Sequence, residues 1–194
     1  MLDTLIAFDK SLFLLINHGL ANGVLDAFFV VITNGKFWVL PGIAAALVFL
    51  KVEKKRALVV LLLAAATVAL SDPVCARIIK PLFHRLRPCN PSDLVEGGRF
   101  LLGYKASFSF PSSHAMNMFG QAMLFSFFYP RFCLWFFLFA SVIGYSRIYV
   151  GVHYPLDVLG GALFGVLCGA LVYGAYRLAL FFMRKKDKNK ITGT

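Results

Sequence analysis

Two stretches of this chain, residues 112–130 and 158–176, each run for about five helical turns without a formally charged side chain. Crossing the hydrocarbon core of a bilayer takes about 20 apolar residues, or somewhat fewer where flanking Lys and Arg reach back to the headgroups. The second run continues past Arg177 into residues 178–183, and residues 132–146 and 57–71 are almost as apolar. Residues 37–50 form a shorter run bounded by Lys36 and Lys51. The first 35 residues are less regular, because Asp9, Lys10, Asn17, His18 and Asp26 interrupt the apolar segments 12–16 and 27–33. One tilted span, or an interfacial helix followed by a short span, fits that pattern.

Composition agrees with these runs. Of 194 residues, 59% are hydrophobic, 15% are charged and 21 are Phe, whereas a soluble domain has about 45–50% apolar and about 25% charged residues. These figures exclude disordered, collagen-like, coiled-coil and disulfide-scaffold classes. The expected fold is all-α: a polytopic membrane protein with about six transmembrane helices in one bundle. One domain is expected over residues 1–183, followed by a basic tail at 184–194. The N-terminus does not read as a secretory signal, since Asp3, Asp9 and Lys10 interrupt it.

A net charge of +11 would suggest a nucleic-acid partner in a soluble protein. Here the basic residues sit at the ends of apolar runs, where sorting of positive charge to the cytoplasm explains them. Lys51–Arg56, Arg131 and Arg184–Lys190 then lie in the cytoplasm. Alternation of the helices between them sends residues 77–111 and the turn near 147–157 to the opposite face. Both termini are expected in the cytoplasm and the chain in the cytoplasmic (inner) membrane. The four cysteines, Cys75, Cys89, Cys133 and Cys168, show no CxxC spacing that would suggest structural zinc.

Three polar clusters gather on that opposite face: residues 80–88 with Lys80 and Arg87, Pro111-Ser112-Ser113-His114, and residues 146–157 with Arg147, His153 and Asp157. Lys80, Arg87 and Arg147 have little carboxylate to match them, so they call for an anion, and Arg forks bind phosphate oxygens in pairs. Pro111-Ser-Ser-His opens a helix, whose free N–H groups and dipole favour the same ligand. Ser112 or Ser113 can cap that helix or donate to the anion. His153 and Asp157, four apart, share a helix face if Pro155 lies in the first turn, which would fix one imidazole tautomer and leave the other nitrogen nucleophilic. His114 is a second imidazole, free to move a proton. Taken singly, these residues read as snorkelling anchors, a helix cap and border histidines. His84 and Arg85 keep that anchoring reading, and Tyr149 and Tyr154 read as interfacial aromatics.

Taken together, Lys80-x6-Arg87-Pro88, Pro111-Ser112-Ser113-His114 and Ser146-Arg147-x5-His153-x3-Asp157 resemble the three-part signature of the type 2 phosphatidic acid phosphatase superfamily. That family also includes vanadium haloperoxidases and soluble acid phosphatases. Ser113 stands where the second motif usually has glycine. The resemblance implies that His153 attacks phosphorus to give a phosphohistidine, with Asp157 orienting it. It further implies that His114 protonates the leaving oxygen and later activates water. Lys80, Arg87, Arg147, Ser112 and the Ser113 amide would hold the phosphate oxygens. It implies an enzyme, a hydrolase of phosphoric esters or anhydrides that needs no metal or cofactor. Its partners would be a lipid phosphate and membrane lipids, with no nucleic acid and no obligate protein. The short 89–110 loop and the cationic field favour undecaprenyl diphosphate as the lipid, ahead of phosphatidylglycerophosphate and lipid A. A His–Asp proton path in a transporter or channel is the rival from another class. It predicts ionisable groups along the helices, and residues 112–130 and 158–176 offer few.

Overall fold

The computed structural model describes residues 2–192, so residues 193 and 194 of the expected basic tail lie outside the described residues. All regular structure among the described residues is helical: α1 (Leu2–Leu14), α2 (Gly23–Thr33), α3 (Gly35–Glu53), α4 (Lys55–Pro73), α5 (Lys80–Phe83), α6 (Ser113–Phe128), α7 (Cys133–Tyr149) and α8 (Pro155–Thr192). Among the described residues, four segments are long and apolar enough to cross a membrane, Gly35–Glu53, Lys55–Phe83, Pro130–Tyr149 and Pro155–Lys185, or five with a bent N-terminal pair, against the six or so expected.

The N-terminal third is two short helices and not one straight tilted span. Residues 3–19 and 23–33 form a pair of helices bent by 113° at a short break, either a broken span or a re-entrant loop. The break has a local cause: the chain leaves α1 through a π-turn at Leu15–Gly19, and Asn22 caps α2 by accepting from the Leu25 amide at 2.9 Å. Asn34 then ends α2 and caps α3, accepting from the Lys36 amide at 3.1 Å.

The α4 segment also differs in length. The apolar run 57–71 becomes one 29-residue segment because the helix does not stop at Pro73. Proline lacks the N–H that would continue the ladder. The chain instead widens into a π-turn at Val74–Ile79 and re-forms as α5, which places Lys80 at the far end. Helix α6 is shorter than its apolar run suggested, at 16 residues, because Ser112 caps it and Tyr129 ends it. Helix α8 continues well past Met183, through the basic segment to Thr192.

The bundle is built on α6, which packs against α8, α7 and α4. Glycine makes the α6–α8 contact close. Gly161, Gly165 and Gly169 recur every fourth residue along α8, and a Cβ on any of them would run into the α6 backbone at the carbonyls of Ser112, Met116 and Gly120 respectively. Small residues at this spacing let helix backbones approach in a membrane, where burial from water gives no drive. The outer surfaces are apolar: Leu40 is 78% exposed, Leu163 69% and Phe181 61%, and no residue of α3 is buried. Such exposure fits lipid contact and would be costly in water.

Helices α5, α6, α7 and α8 bring Lys80, Ser112, Arg147 and Asp157 to one end of the bundle. At the other end Arg56 donates to the Phe128 carbonyl at 2.7 Å, and Phe128 packs on Tyr173 and Tyr176. Residues 84–112 have no helix but form a folded cap over the polar end. Cys89 lies fully buried in it, in a cluster with Phe29, Tyr149, Val150 and Val152.

Candidate active site

The start of α8 builds the centre. Pro155 opens the helix, and Asp157 in its first turn reaches back to accept from the Tyr154 amide at 2.8 Å. Carboxylates suit this position because the first amides lack intrahelical partners. The same oxygen, Oδ2, accepts from the Ser109 hydroxyl and lies 3.4 Å from His153 Nδ1. His153 itself is not on α8. It lies in the loop before the helix, with its amide bonded to the Arg147 carbonyl at 3.2 Å. The expected sharing of one helix face is therefore incorrect: the pair meets because the Asp157 side chain turns back over the helix start.

His153 is 2% exposed, and its Nε2 sits 3.0 Å from Arg87 Nη1. A guanidinium only donates, so Nε2 carries the lone pair and Nδ1 the proton, directed at Asp157 and Ser109. Burial holds the imidazole pKa well below the ordinary histidine range, against the opposing pull of Asp157. The nitrogen with the free pair is thus unprotonated and aimed away from the carboxylate.

The cations surround it. Arg87 also donates through Nε to the Ser107 carbonyl at 3.0 Å and through Nη1 to the Val152 carbonyl at 2.9 Å. Lys80 Nζ donates to the carbonyls of Phe108 at 2.8 Å and Ser109 at 3.3 Å, which uses two of its three protons. Arg147 Nη1 donates to Thr33 Oγ1 at 2.5 Å, while its Nε is buried with no partner. An orphaned buried donor of this kind calls for a ligand. With Arg85, four cations meet two carboxylates, Asp157 and Asp9. Lys105 also acts on His114, so the centre carries an excess of positive charge that suits a phosphate anion.

The second motif divides its work. Ser112 is fully buried and caps α6, its Oγ accepting from the Ala115 amide at 3.5 Å, while its own amide donates to the Asp157 carbonyl at 2.9 Å. The Ser113 hydroxyl lies 3.1 Å from Cys75 Sγ, so its backbone amide is the group free to meet an anion. His114 is exposed and lines a cavity of about 340 Å³ whose other walls include Ile32, Trp38, Met118, Phe139 and Ile143. Thr33 and Asn117 are the other polar side chains lining it. The charges that act on His114 come from Arg147, Arg87, Lys105 and Lys80. An imidazole at the mouth of an apolar cavity, beside a cationic pocket, is placed to move protons for a ligand with a polar head and an apolar tail.

All eight residues singled out in the sequence, His153, His114, Asp157, Lys80, Arg87, Ser112, Ser113 and Arg147, gather at this end. The anchoring reading of Arg85 is wrong. Its guanidinium bonds both Asp157 Oδ1, at 2.9 Å, and Asp9 Oδ2, at 2.5 Å, and lies over the Tyr154 ring at 4.2 Å. Tyr149 is likewise no interfacial aromatic: it is fully buried and donates to Asp26 at 2.7 Å. Ser109, Asp9 and Thr33 were not legible as site residues. The available signal was Asp9 itself, a charge inside an apolar segment. His84 keeps its border reading, exposed and edge-on to Phe108. Among the described residues, no three His, Cys, Asp or Glu side chains come together so as to hold a metal ion.

This geometry has close relatives. A lipid A 4'-phosphatase of Porphyromonas gingivalis is 30% identical over 92% of this chain and 77% of its own length. One from Bacteroides thetaiotaomicron is 34% identical over 89% of this chain and 79% of its own. The crystal structure of Aquifex aeolicus LpxE superimposes with a TM-score of 0.65 at 30% identity, covering 84% of this chain and 93% of that one. Residues 54–180, which carry all three motifs, match the model of the PAP2 superfamily, and the chain therefore belongs to that superfamily as a membrane-embedded phosphatase.

Proposed function

We propose that the protein is a lipid phosphatase that passes a headgroup phosphate first to His153 and then to water, and that its lipid is a glycolipid phosphate monoester of the lipid A type. One observation carries the chemistry: a neutral His153 whose Nε2 carries the lone pair, ringed by cations in excess of carboxylates, beside an apolar cavity edged by His114. The Nε2 pair forms the N–P bond as the lipid P–O bond breaks, and His114 gives the departing oxygen its proton. Water then adds to phosphorus and returns a proton to His114, the N–P bond breaks, and the electron pair goes back to Nε2. For the attack Arg87 must leave Nε2 and move onto the phosphate, where its charge meets that developing in the transition state. Lys80, Arg147 and the Ser113 amide hold the other oxygens.

One consideration favours lipid A over undecaprenyl diphosphate. The relatives named lipid A 4'-phosphatases match about nine-tenths of this chain, so the short 89–110 loop no longer argues against a sugar headgroup. On this reading the site faces away from the cytoplasm and the C-terminal end of α8 lies inside it, while α1, whose Asp9 reaches the centre, sits at the site end rather than in the cytoplasm as expected. The basic turns Lys51–Arg56 and Arg131 at the opposite end of the bundle support that orientation.

Phosphate release in detergent micelles tests the substrate. The value of kcat/KM on lipid A is expected to exceed those on undecaprenyl diphosphate and phosphatidylglycerophosphate by about tenfold, the equivalent of 1.4 kcal/mol. A higher value on either rival would overturn the choice of lipid. Radiolabelled lipid should leave phosphate on the wild-type protein and none on His153→Ala, while His114→Ala should regain rate on esters with good leaving groups.

A further inference from the structure

The match to the family model begins at residue 54, yet side chains that precede it reach the centre. Asp9 is 1% exposed in α1, where a carboxylate is tolerated only when fully paired. Its Oδ1 accepts from the Leu156 amide at 2.9 Å, in the first turn of α8, and its Oδ2 takes Arg85 Nη2. The other arm of the same guanidinium holds Asp157 Oδ1 at 2.9 Å. One planar fork therefore bridges two carboxylates that would otherwise repel each other, while its face covers Tyr154. The Arg85 carbonyl in turn accepts from the Ser109 amide at 2.7 Å, and Ser109 is the hydroxyl donor to Asp157.

We infer that Asp9 and Arg85 are a positioning pair, which locks the Asp157 carboxylate and through it the aim and tautomer of His153. With Oδ1 held by Arg85, Asp157 cannot rotate, and Oδ2 is left for Ser109, the Tyr154 amide and His153 Nδ1. The pair acts from behind the carboxylate, because His153 presents Nδ1 to Asp157 and its other nitrogen to Arg87. Substrate meets neither residue. The N-terminal bent helices are then part of the catalytic apparatus: α1 reaches Asp157 through Arg85, and Thr33 at the end of α2 reaches Arg147. This inference rests on the reading of His153 as the nucleophile.

A double-mutant cycle separates positioning from simple support of the fold. Phosphate release from lipid A is measured for Asp9→Asn, Arg85→Gln, Asp157→Asn and the paired variants, with undecaprenyl diphosphate as a second probe. Each single variant of the pair should lower kcat by roughly tenfold or more with KM little changed, since the phosphate-holding groups are untouched. In the Asp157→Asn background the same changes should cost less than about threefold, because the group they position is already disabled. Losses that multiply in full, or losses that appear in KM alone, would overturn the inference. Arg85→Lys keeps the charge but cannot span both carboxylates, so it should fall near Arg85→Gln; wild-type rates in this variant would also count against the pair. If Asp9→Asn is not recovered folded, Arg85→Gln and Arg85→Lys complete the test. Turnover that survives His153→Ala would instead bring down the reading of the centre itself.

Discussion

Gly161→Ala should damage the site although residue 161 touches no substrate. A Cβ at this position would lie 2.5 Å from the Ser112 carbonyl oxygen. Carbon–oxygen contacts of this kind settle at about 3.3 Å or more, so α8 has to back away from α6 by roughly 0.8 Å. One turn earlier, the Asp157 carbonyl accepts from the Ser112 amide at 2.9 Å. The same displacement stretches that bond to about 3.7 Å, beyond hydrogen-bonding range. Overpacking costs about 1–3 kcal/mol and the lost bond about 1 kcal/mol more. The two motifs that carry His114 and Asp157 also move apart, and a misplacement near 1 Å costs about a hundredfold in rate. Gly174→Ala is the matched control, because a Cβ there meets nothing within 4 Å. In a helix interior it is expected to be neutral or slightly stabilising. Thermal unfolding in detergent and phosphate release from the same preparations provide the readouts. A Gly161→Ala protein with wild-type Tm and kcat would refute the close-packing argument.

Thr33→Val removes the acceptor for Arg147 Nη1; hydrogen bonds to charged groups are worth about 1.5–3 kcal/mol, so inhibition by vanadate should weaken by roughly tenfold or more. Cys89 should resist an impermeant maleimide in the folded protein and react only after unfolding in SDS, because it is fully buried and burial pushes its thiol pKa up. The third measurement is unfolding against pH. The His153 pKa is depressed in the folded state, so the unfolded chain takes up a proton near pH 6.5 that the folded chain refuses. The contribution is complete above about pH 6.5 and is lost as pH falls below it, so Tm should decline with acidification; His153→Gln should flatten that slope, and an unchanged slope would count against the neutral imidazole.

Membrane residence and helicity were set by the sequence alone, because a bilayer imposes length and apolarity on each span and leaves the backbone no partner but itself. The same holds for the eight residues of the three motifs. Each sits at the end of an apolar run, and alternation of the runs brings those ends to one side. The glycine repeat at 161, 165 and 169 stands in the sequence, but its meaning comes only from packing, because its partner is the α6 backbone. The tertiary structure decided what no periodicity encodes. It bent the N-terminal segment by 113°, so Asp9 and Thr33, which interrupt or end apolar segments, became buried partners of Arg85 and Arg147. It separated the free cations from the paired one: Arg85 and Arg87 lie two residues apart in one loop, yet Arg85 is held between two carboxylates while Arg87 faces His153. Sequence spacing fixes which residues can share an element. Long-range pairing across 72 and 76 positions, as Arg85 makes with Asp157 and Asp9, arises only when the packed helices bring distant segments together.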